Sequence, residues 1–379
     1  MSIRTLINPN AGGILDGPPS GRSPLQFHRR LPGYEVTPLV DAPELAEALG
    51  VGKVFVKDES SRLGLPAFKV LGTSWAVYRA LEERLGDEGF GHWEAIEDLK
   101  QKLEPLRPLS LVAATDGNHG RAVARVARLL GLGARIFVPE DMVAARREAI
   151  AGEGAEVVVV DGSYDDAVER SAEAEGLLIS DTSWPGYERV PSWVIEGYST
   201  MLWEIEEELS RRGEAGPDLV VVQVGVGAFA AAVASHFCRP DSPQHPKLVA
   251  VEPERADCLF KSVSAGRLVS VPGPHDSIMA GLNCGRPSLV AWPILFRSMD
   301  VLVAVDDKPA REAMRLAART DIVAGESGTA GLGGLLQLLH SKEDGEARRL
   351  LGVNEDTRVL IFNTEGATDP DAYRRVVAG

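Results

Sequence analysis

Short apolar runs alternate along this chain with longer segments in which apolar residues recur at helical spacing. Runs such as 219–222 and 301–305 contain no polar residue, as in strands that are buried on both faces. Because parallel sheets covered by helices bury their strands in this way, the alternation predicts an α/β fold. We predict strands at 54–56, 111–115, 135–138, 156–160, 177–180, 219–224, 248–251, 301–305 and 358–362, a short helix at 42–49 after an extended N-terminal arm, and a helical insertion at 85–107.

The length of 379 residues allows two domains, and the net charge of −15 argues against nucleic acid or an anionic membrane as the partner. No basic segment followed by an apolar stretch begins the sequence, so we expect no secretory signal and a cytoplasmic protein. The apolar run 219–237 is interrupted by Gln223, two glycines and Ser235, which favours a strand, a glycine turn and a helix over a membrane span. The three cysteines lack metal-ligand spacing, so we expect no metal site.

Lys69 stands between Phe68 and Val70 at the start of a predicted helix. Most lysines in such a position lay their stem along apolar surface and keep the ammonium in water. A lysine that is buried instead has a perturbed pKa and can act as a neutral nucleophile, for example in a Schiff base. The choice between these two interpretations depends on the rest of the chain.

Two strand-to-helix turns are suited to binding anions. The turn at 115–120 reads Thr-Asp-Gly-Asn-His-Gly, and the turn at 225–230 reads Gly-Val-Gly-Ala-Phe-Ala. Free N–H groups at a helix start attract anions, and glycine lets the backbone approach them closely. The second turn also fits a dinucleotide-binding pattern, with Glu252 ending the next strand as a ribose-binding acid would. That alternative gives no role to Lys69 or to the first turn.

Together these residues resemble the fold-type II family of pyridoxal-phosphate enzymes, which includes threonine and serine dehydratases, and within it the diaminopropionate ammonia-lyase branch. The matching segments follow the order of the family and span nearly the whole chain. They lie at 57–60, 67–69, 114–121, 181–187, 225–228, 251–258, 278–282, 326–328 and 363–370.

The resemblance implies an α/β architecture similar to the tryptophan synthase β chain, with two open twisted sheets flanked by helices. It implies a large domain of residues 1–73 and 194–379, a small domain of residues 74–193, and a cofactor between them. Enzymes of this family are commonly homodimers, so we expect a homodimer here.

The resemblance also assigns the cofactor site. Lys69 would form the internal aldimine with pyridoxal 5'-phosphate, Asn118 would bind the ring hydroxyl, and Thr364 would meet the pyridine nitrogen. The phosphate would lie on the N–H groups of Gly225, Val226, Gly227 and Ala228. An amino-acid substrate would be bound by Thr115, Asp116, Gly117, His119 and Tyr164.

The implied reaction is β-elimination of 2,3-diaminopropionate to pyruvate and ammonia through aminoacrylate. Lys69 would be one base; Asp116, where dehydratases of this family have serine, would be a second base or the acid. Asp181 would be a second carboxylate that recognises the distal ammonium. The alternatives for these two residues are a simple turn residue at Asp116 and a helix N-cap at Asp181.

Other functions remain open from the sequence. The chain could be a serine or threonine dehydratase, a lyase for another β-substituted alanine, or a non-catalytic protein that binds pyridoxal phosphate. Phe229 and Asn283 depart from the pattern of the lyases and are expected to reshape the pocket. Cys258 and Cys284 lie in matching segments, so we expect them close together, as thiols or as a disulfide.

Overall fold

The computed structural model describes residues 3–15, 21–341 and 343–378. The chain forms two compact units. The first comprises Met1–Gly21, Val36–Ser61 and Met201–Gly379, and the second comprises Arg22–Glu35 and Arg62–Thr200. Residues 22–35, 62–73 and 194–200, which were predicted in the large domain, group with the second unit. The domain boundaries after residues 73 and 193 stay a prediction.

Strands and helices alternate through both units. The strands are β1 (Arg4–Ile7), β2 (Leu39–Asp41), β3 (Lys53–Asp58), β4 (Ser110–Ala114), β5 (Gly133–Pro139), β6 (Glu156–Val160), β7 (Leu177–Leu178), β8 (Leu219–Gln223), β9 (Lys247–Pro253), β10 (Val301–Val305) and β11 (Arg358–Asn363). The helices are α1 (Ser23–His28), α2 (Pro43–Leu49), α3 (Lys69–Arg84), α4 (Ile96–Lys102), α5 (Asn118–Leu130), α6 (Ala144–Ala151), α7 (Tyr164–Ala172), α8 (Arg189–Arg212), α9 (Ala228–Phe237), α10 (Cys258–Ala265), α11 (Trp292–Ser298), α12 (Asp307–Ala318), α13 (Ala330–His340), α14 (Gly345–Leu351) and α15 (Pro370–Ala378).

The first unit is built on a seven-stranded sheet with the order β1-β10-β9-β8-β11-β3-β2. Its five central strands are parallel, and β1 and β2 pair antiparallel with β10 and β3 at the two edges. Every residue of β8 and β10 is buried, because helices cover both faces of the sheet. This placement brings the carboxyl ends of β8, β9 and β11 to one edge, where α/β sheets bind ligands.

The second unit contains a four-stranded parallel sheet with the order β6-β5-β4-β7. Val112, Ala114 and Phe137 on β4 and β5 form a core with Ala167 of α7. The amphipathic helix α5 follows β4 directly and buries Ala122, Val123 and Val126 among its core-facing residues. The end of β4 and the start of α5 therefore form a fixed turn.

Each predicted strand is present, with ends that differ from the prediction by at most two residues. The predicted alternation and the fold class are confirmed, and 219–237 forms a strand, a turn and a helix. The sequence missed β1 and β2, which are short, partly exposed edge strands, and helix α1 within the predicted extended arm. In the described part of the chain, no helix combines the length and apolar character needed to cross a bilayer.

Candidate active site

Lys69 is the first residue of α3, and its ammonium contacts a carboxylate from a distant segment. Lys69 Nζ donates a hydrogen bond to Asp181 Oδ2 at 2.7 Å, and the two side chains are 20% and 7% exposed. Gly72 on the same helix allows close packing, since a Cβ there would lie 2.6 Å from the Tyr198 ring. The lysine is therefore held in a crowded, largely buried site.

The charges around Lys69 decide its protonation. Burial alone would lower the Lys69 pKa, but the negative charge of Asp181 and the hydrogen bond to it outweigh burial and raise this pKa. Burial alone predicts the opposite shift, and the pairing of Lys69 with Asp181 is not visible in the sequence around either residue. Without cofactor, Lys69 and Asp181 form an ion pair.

The two carboxyl groups near Lys69 differ in acidity. Burial would raise the pKa of Asp181, but the charges of Lys69 and His119 and a hydrogen bond hold it at about 2. Burial raises the pKa of Asp116, and the charge of Asp181 adds to this, while Lys69 and Arg146 oppose it only in part. Asp181 is thus ionised at neutral pH, whereas Asp116 takes up a proton more readily than an ordinary aspartate.

The turn at 115–120 is held together by Thr115. Its Oγ1 accepts hydrogen bonds from the N–H groups of Gly117 and Gly120, both at 2.9 Å. Gly117 has a φ of 152°, which favours glycine, and a Cβ at Gly120 would collide with the Thr115 methyl group. Asn118 begins α5. The carboxyl group of Asp116 is desolvated, although the residue as a whole keeps some exposure to solvent. The predicted strand-to-helix turn is present, and the hydrogen bonds to Thr115 Oγ1 stabilise it.

His119 connects this turn to Asp181. His119 Nε2 lies 2.8 Å from the carbonyl oxygen of Ile179. Because a carbonyl oxygen only accepts, Nε2 carries the hydrogen and donates this hydrogen bond. His119 Nδ1 faces Thr73 Oγ1 at 3.5 Å and Asp181 Oδ2 at 3.8 Å. The structure therefore brings His119, Lys69 and Asp181 together.

The loop that carries Asp181 is fixed by Tyr187, a residue that the sequence analysis did not single out. The Tyr187 hydroxyl donates to the carbonyl of Leu178 at 2.8 Å and accepts from the N–H of Ser180 at 3.1 Å. The next helix, α8, begins only at Arg189, so the interpretation of Asp181 as a helix N-cap is wrong. In the sequence, the only indication of this role was that Tyr187 ends the matching segment 181–187.

Tyr164 is the first residue of α7 and is partly buried. The preceding Ser163 caps this helix by accepting a hydrogen bond from the N–H of Asp166. The contribution of Tyr164 to substrate binding stays a prediction.

In the first unit, the glycine loop after β8 presents unused backbone donors. Among the residues that the structure describes, no hydrogen bond is donated by the N–H groups of Gly225, Val226, Gly227 and Ala228. Gly227 has a φ of +95°, and a Cβ there would lie 2.7 Å from Leu295 Cδ1. Four free donors at the start of α9 suit a phosphate.

Two thiols and an acid lie around this loop. Cys258 Sγ is 3.8 Å from the carbonyl oxygen of Gly225, and a Cβ at Gly225 would lie 3.3 Å from Cys284 Sγ. The structure has both cysteines as thiols and not as a disulfide.

Glu252 accepts hydrogen bonds from the N–H groups of Leu259 and Phe260 at 2.8 and 2.7 Å, while burial raises its pKa to about 8. It is a structural acid that caps α10, not a ribose ligand.

Thr364 follows β11 and is 4% exposed. Its Oγ1 accepts a hydrogen bond from Gln223 Nε2 at 2.8 Å. Among the described residues, the Thr364 hydroxyl donates no hydrogen bond. That hydrogen is available for a ligand atom.

The two residues that depart from the pattern of the lyases have structural contacts. The buried ring of Phe229 packs edge-on against Phe362 with a centroid distance of 5.0 Å. Asn283 donates from Nδ2 to the carbonyl of Ser277 at 2.9 Å. These contacts account for a large side chain at position 229 and an amide at position 283 without a ligand.

These groups fit pyridoxal phosphate. An amine suits its aldehyde, four free N–H groups suit its phosphate, and a buried hydroxyl with an unused hydrogen suits its pyridine nitrogen. The fit rests on Lys69, the loop 225–228 and Thr364, each described above within its own unit.

Comparisons with known proteins agree with this chemistry. A family model described as "Pyridoxal-phosphate dependent enzyme" matches residues 30–356. Diaminopropionate ammonia-lyase of Salmonella typhimurium is 37% identical over 369 residues, which cover 94% of this chain and 91% of that protein.

Solved structures show the same architecture. Diaminopropionate ammonia lyase from Escherichia coli, in complex with an aminoacrylate-PLP azomethine reaction intermediate, superposes with a TM-score of 0.89 and 34% identity, covering 99% of this chain and 97% of that one. Maize serine racemase shares the fold alone, with a TM-score of 0.70 at 21% identity and 97% coverage of both chains. The predicted cofactor is thereby confirmed. This chain belongs to the family of fold-type II pyridoxal-phosphate-dependent enzymes and, within it, groups with the diaminopropionate ammonia-lyases.

Proposed function

We propose that this chain catalyses β-elimination of 2,3-diaminopropionate, releasing ammonia and aminoacrylate, which hydrolyses to pyruvate and a second ammonia. The observation that carries the proposal is the cluster of Lys69, Asp181 and Asp116 in a chain that is 37% identical to a diaminopropionate ammonia-lyase over 94% of its length. Bound pyridoxal phosphate supplies the electron withdrawal that makes the substrate α-proton acidic.

Lys69 holds the cofactor covalently and serves as a base. Its ammonium must first lose a proton, and the nearest acceptor is Asp181 Oδ2 at 2.7 Å. Because Lys69 is the main charge that holds the Asp181 pKa at about 2, removing this charge lets burial raise the pKa again. The pair can therefore pass a proton in either direction.

Asp116 is suited to donate a proton to the departing β-amine. A neutral amine is a far better leaving group than an amide anion, so the elimination needs an acid at this position. Burial raises the Asp116 pKa, so this carboxyl can hold a proton for the β-nitrogen once that nitrogen is a neutral amine. Asp181, which is ionised before Lys69 gives up its proton, suits the distal ammonium of the arriving substrate. In the cofactor-free site the two carboxyl groups thus have opposed pKa shifts, as in pairs that divide an acid role and an anionic role between them.

The remaining site residues bind the cofactor and the substrate. We assign the ring hydroxyl to Asn118, the phosphate to the loop 225–228 and the pyridine nitrogen to Thr364. The substrate carboxylate is assigned to the turn of Thr115, Gly117 and His119, with Tyr164 as a further contact.

We further propose that the enzyme is a cytoplasmic homodimer. The family resemblance supports the dimer, and the thiol state of Cys258 and Cys284 suits a reducing compartment. Light scattering coupled to size-exclusion chromatography tests the dimer; a monomer at the working concentration would exclude it.

The reaction is tested by measuring ammonia and pyruvate or 2-oxobutyrate from both enantiomers of 2,3-diaminopropionate, serine and threonine. We expect the highest kcat/KM for 2,3-diaminopropionate. A higher value for serine or threonine would identify a dehydratase instead. Borohydride reduction and proteolysis should leave a pyridoxyl mass on the peptide that contains Lys69, and its absence would remove the covalent role of that lysine.

The acid role is tested with Asp116→Asn. This variant should keep the visible absorption of the bound cofactor and lose about 10²- to 10⁴-fold in turnover, the usual range for a general acid or base. Asp161→Asn, which changes an exposed carboxylate of the same unit, is the control and should retain full turnover. Equal rates in both variants would exclude Asp116 from the reaction.

A further inference from the structure

Gln223 is a buried amide at the end of the otherwise apolar strand β8. It is 3% exposed, and its Nε2 is surrounded by four oxygens. Three are the carbonyl oxygens of Ser327, Gly328 and Phe362 at 3.1, 3.2 and 3.1 Å, and the fourth is Thr364 Oγ1 at 2.8 Å. Carbonyl oxygens only accept, so this amide atom must be the NH2 group and not the oxygen.

This orientation determines what the Thr364 hydroxyl can do. An amide NH2 donates but does not accept, so the contact at 2.8 Å can only be a hydrogen bond from Gln223 to Thr364 Oγ1. The hydroxyl hydrogen must point elsewhere. Within the described part of the chain it has no acceptor, although Thr364 is 4% exposed.

We propose that Gln223 is a positioning residue that makes Thr364 a hydrogen-bond donor to the pyridine nitrogen of the bound cofactor. This inference rests on the proposed function, in which Thr364 meets that nitrogen. A donor stabilises only an unprotonated ring nitrogen, because a protonated one would itself need an acceptor.

The protonation of this nitrogen affects the chemistry. An unprotonated pyridine withdraws electrons less strongly than a pyridinium, so negative charge at the substrate α-carbon is less stabilised. That suits an elimination in which the charge is discharged at once through the leaving β-amine. Gln223 would thus bias the site toward elimination without touching the substrate.

A purely structural role for Gln223 makes a different prediction. Its Nε2 also joins the segment of Ser327 and Gly328 to β11 at Phe362, so its loss is expected to lower stability in any case. A structural tie changes the unfolding midpoint and leaves the ring nitrogen as it was. The state of the ring nitrogen therefore separates the two roles.

The test is ¹⁵N NMR of the holoenzyme loaded with pyridoxal phosphate that carries ¹⁵N in its ring. The wild-type signal should lie at the unprotonated position at every pH at which the protein stays folded. Gln223→Met removes the donor at similar length, so the hydroxyl can turn; the signal should shift toward the protonated position.

Thr364 variants provide the matched comparison. Thr364→Ser keeps the hydroxyl and should leave the wild-type ring signal. Thr364→Val removes it, and adding Gln223→Met to this variant should cause no further change in the signal. A further change of the same size in the double variant would mean that Gln223 does not act through Thr364.

Three results separate the possible failures. A protonated ring in the wild type, or a Gln223→Met signal equal to the wild type, overturns the inference and leaves the proposed function intact. A wild-type protein that takes up no cofactor overturns the proposed function itself. If Gln223→Met does not fold, Gln223→Asn, whose amide is one carbon too short to reach Thr364, gives the same comparison.

Discussion

Replacing Asp181 with asparagine in the cofactor-free protein removes the charge opposite Lys69, and the structure gives the size of the effect. The Nζ–Oδ2 distance is 2.7 Å and both side chains are largely buried. Since one pKa unit corresponds to about 1.4 kcal/mol, lowering the Asp181 pKa from 3.8 to about 2 stabilises the folded state by about 2 kcal/mol. Asp181→Asn costs more, about 3 kcal/mol or more, because it leaves the Lys69 ammonium buried without its partner.

The effect depends on pH with a defined sign. The folded-state pKa of Asp181 lies below its ordinary value of 3.8, so its stabilisation is fully present above about pH 4. It is lost as the pH falls through about 2, where the carboxyl takes up a proton in the folded state as well. The difference in unfolding free energy between wild type and Asp181→Asn should therefore be large at neutral pH and shrink in acid.

The measurement is urea unfolding followed by tryptophan fluorescence at a series of pH values. Asp161→Asn, at an exposed position in the same unit, is the matched control and should unfold like the wild type throughout. A difference for Asp181→Asn that stays constant from neutral pH to the acid limit would refute the argument, because the effect would then come from packing and not from charge.

Three further substitutions test the packing of the site. Gly72→Ala places a Cβ 2.6 Å from the Tyr198 ring and should lower the unfolding free energy by about 1–3 kcal/mol in urea titrations. Gly227→Ala, at a φ of +95° and 2.7 Å from Leu295, should weaken pyridoxal phosphate binding by about tenfold or more in fluorescence titrations. Thr115→Val removes the acceptor of two backbone N–H groups and should cost about 1–3 kcal/mol, measured in the same urea titrations.

The opposed pKa shifts of Asp116 and Asp181 have a common structural origin. Both carboxyl groups are desolvated, but Asp181 has Lys69 within hydrogen-bonding distance, and Asp116 feels that lysine only as a weaker charge. Removing the Lys69 charge therefore affects Asp181 most. The cofactor, which consumes the lysine amine, is expected to make the two carboxyl groups more alike.

The sequence by itself determined the features that depend on neighbouring residues. Apolar runs and helical spacing are local, so they predicted every central strand and the glycine turn after β8. The resemblance to the family rested on Lys69, on the turns at 115–120 and 225–228, and on the other matching segments, which span nearly the whole chain. The edge strands β1 and β2 were missed because their short, half-exposed segments carry little periodic signal.

Only the tertiary structure decided how the chemically active groups are paired. Lys69 and Asp181 are 112 positions apart, and Gln223 and Thr364 are 141 apart, so no local pattern relates them. Burial predicts a lower lysine pKa, whereas the carboxylate that folding brings to 2.7 Å raises it. The sign of a pKa shift and the direction of a hydrogen bond depend on distance and orientation, and the fold alone sets both.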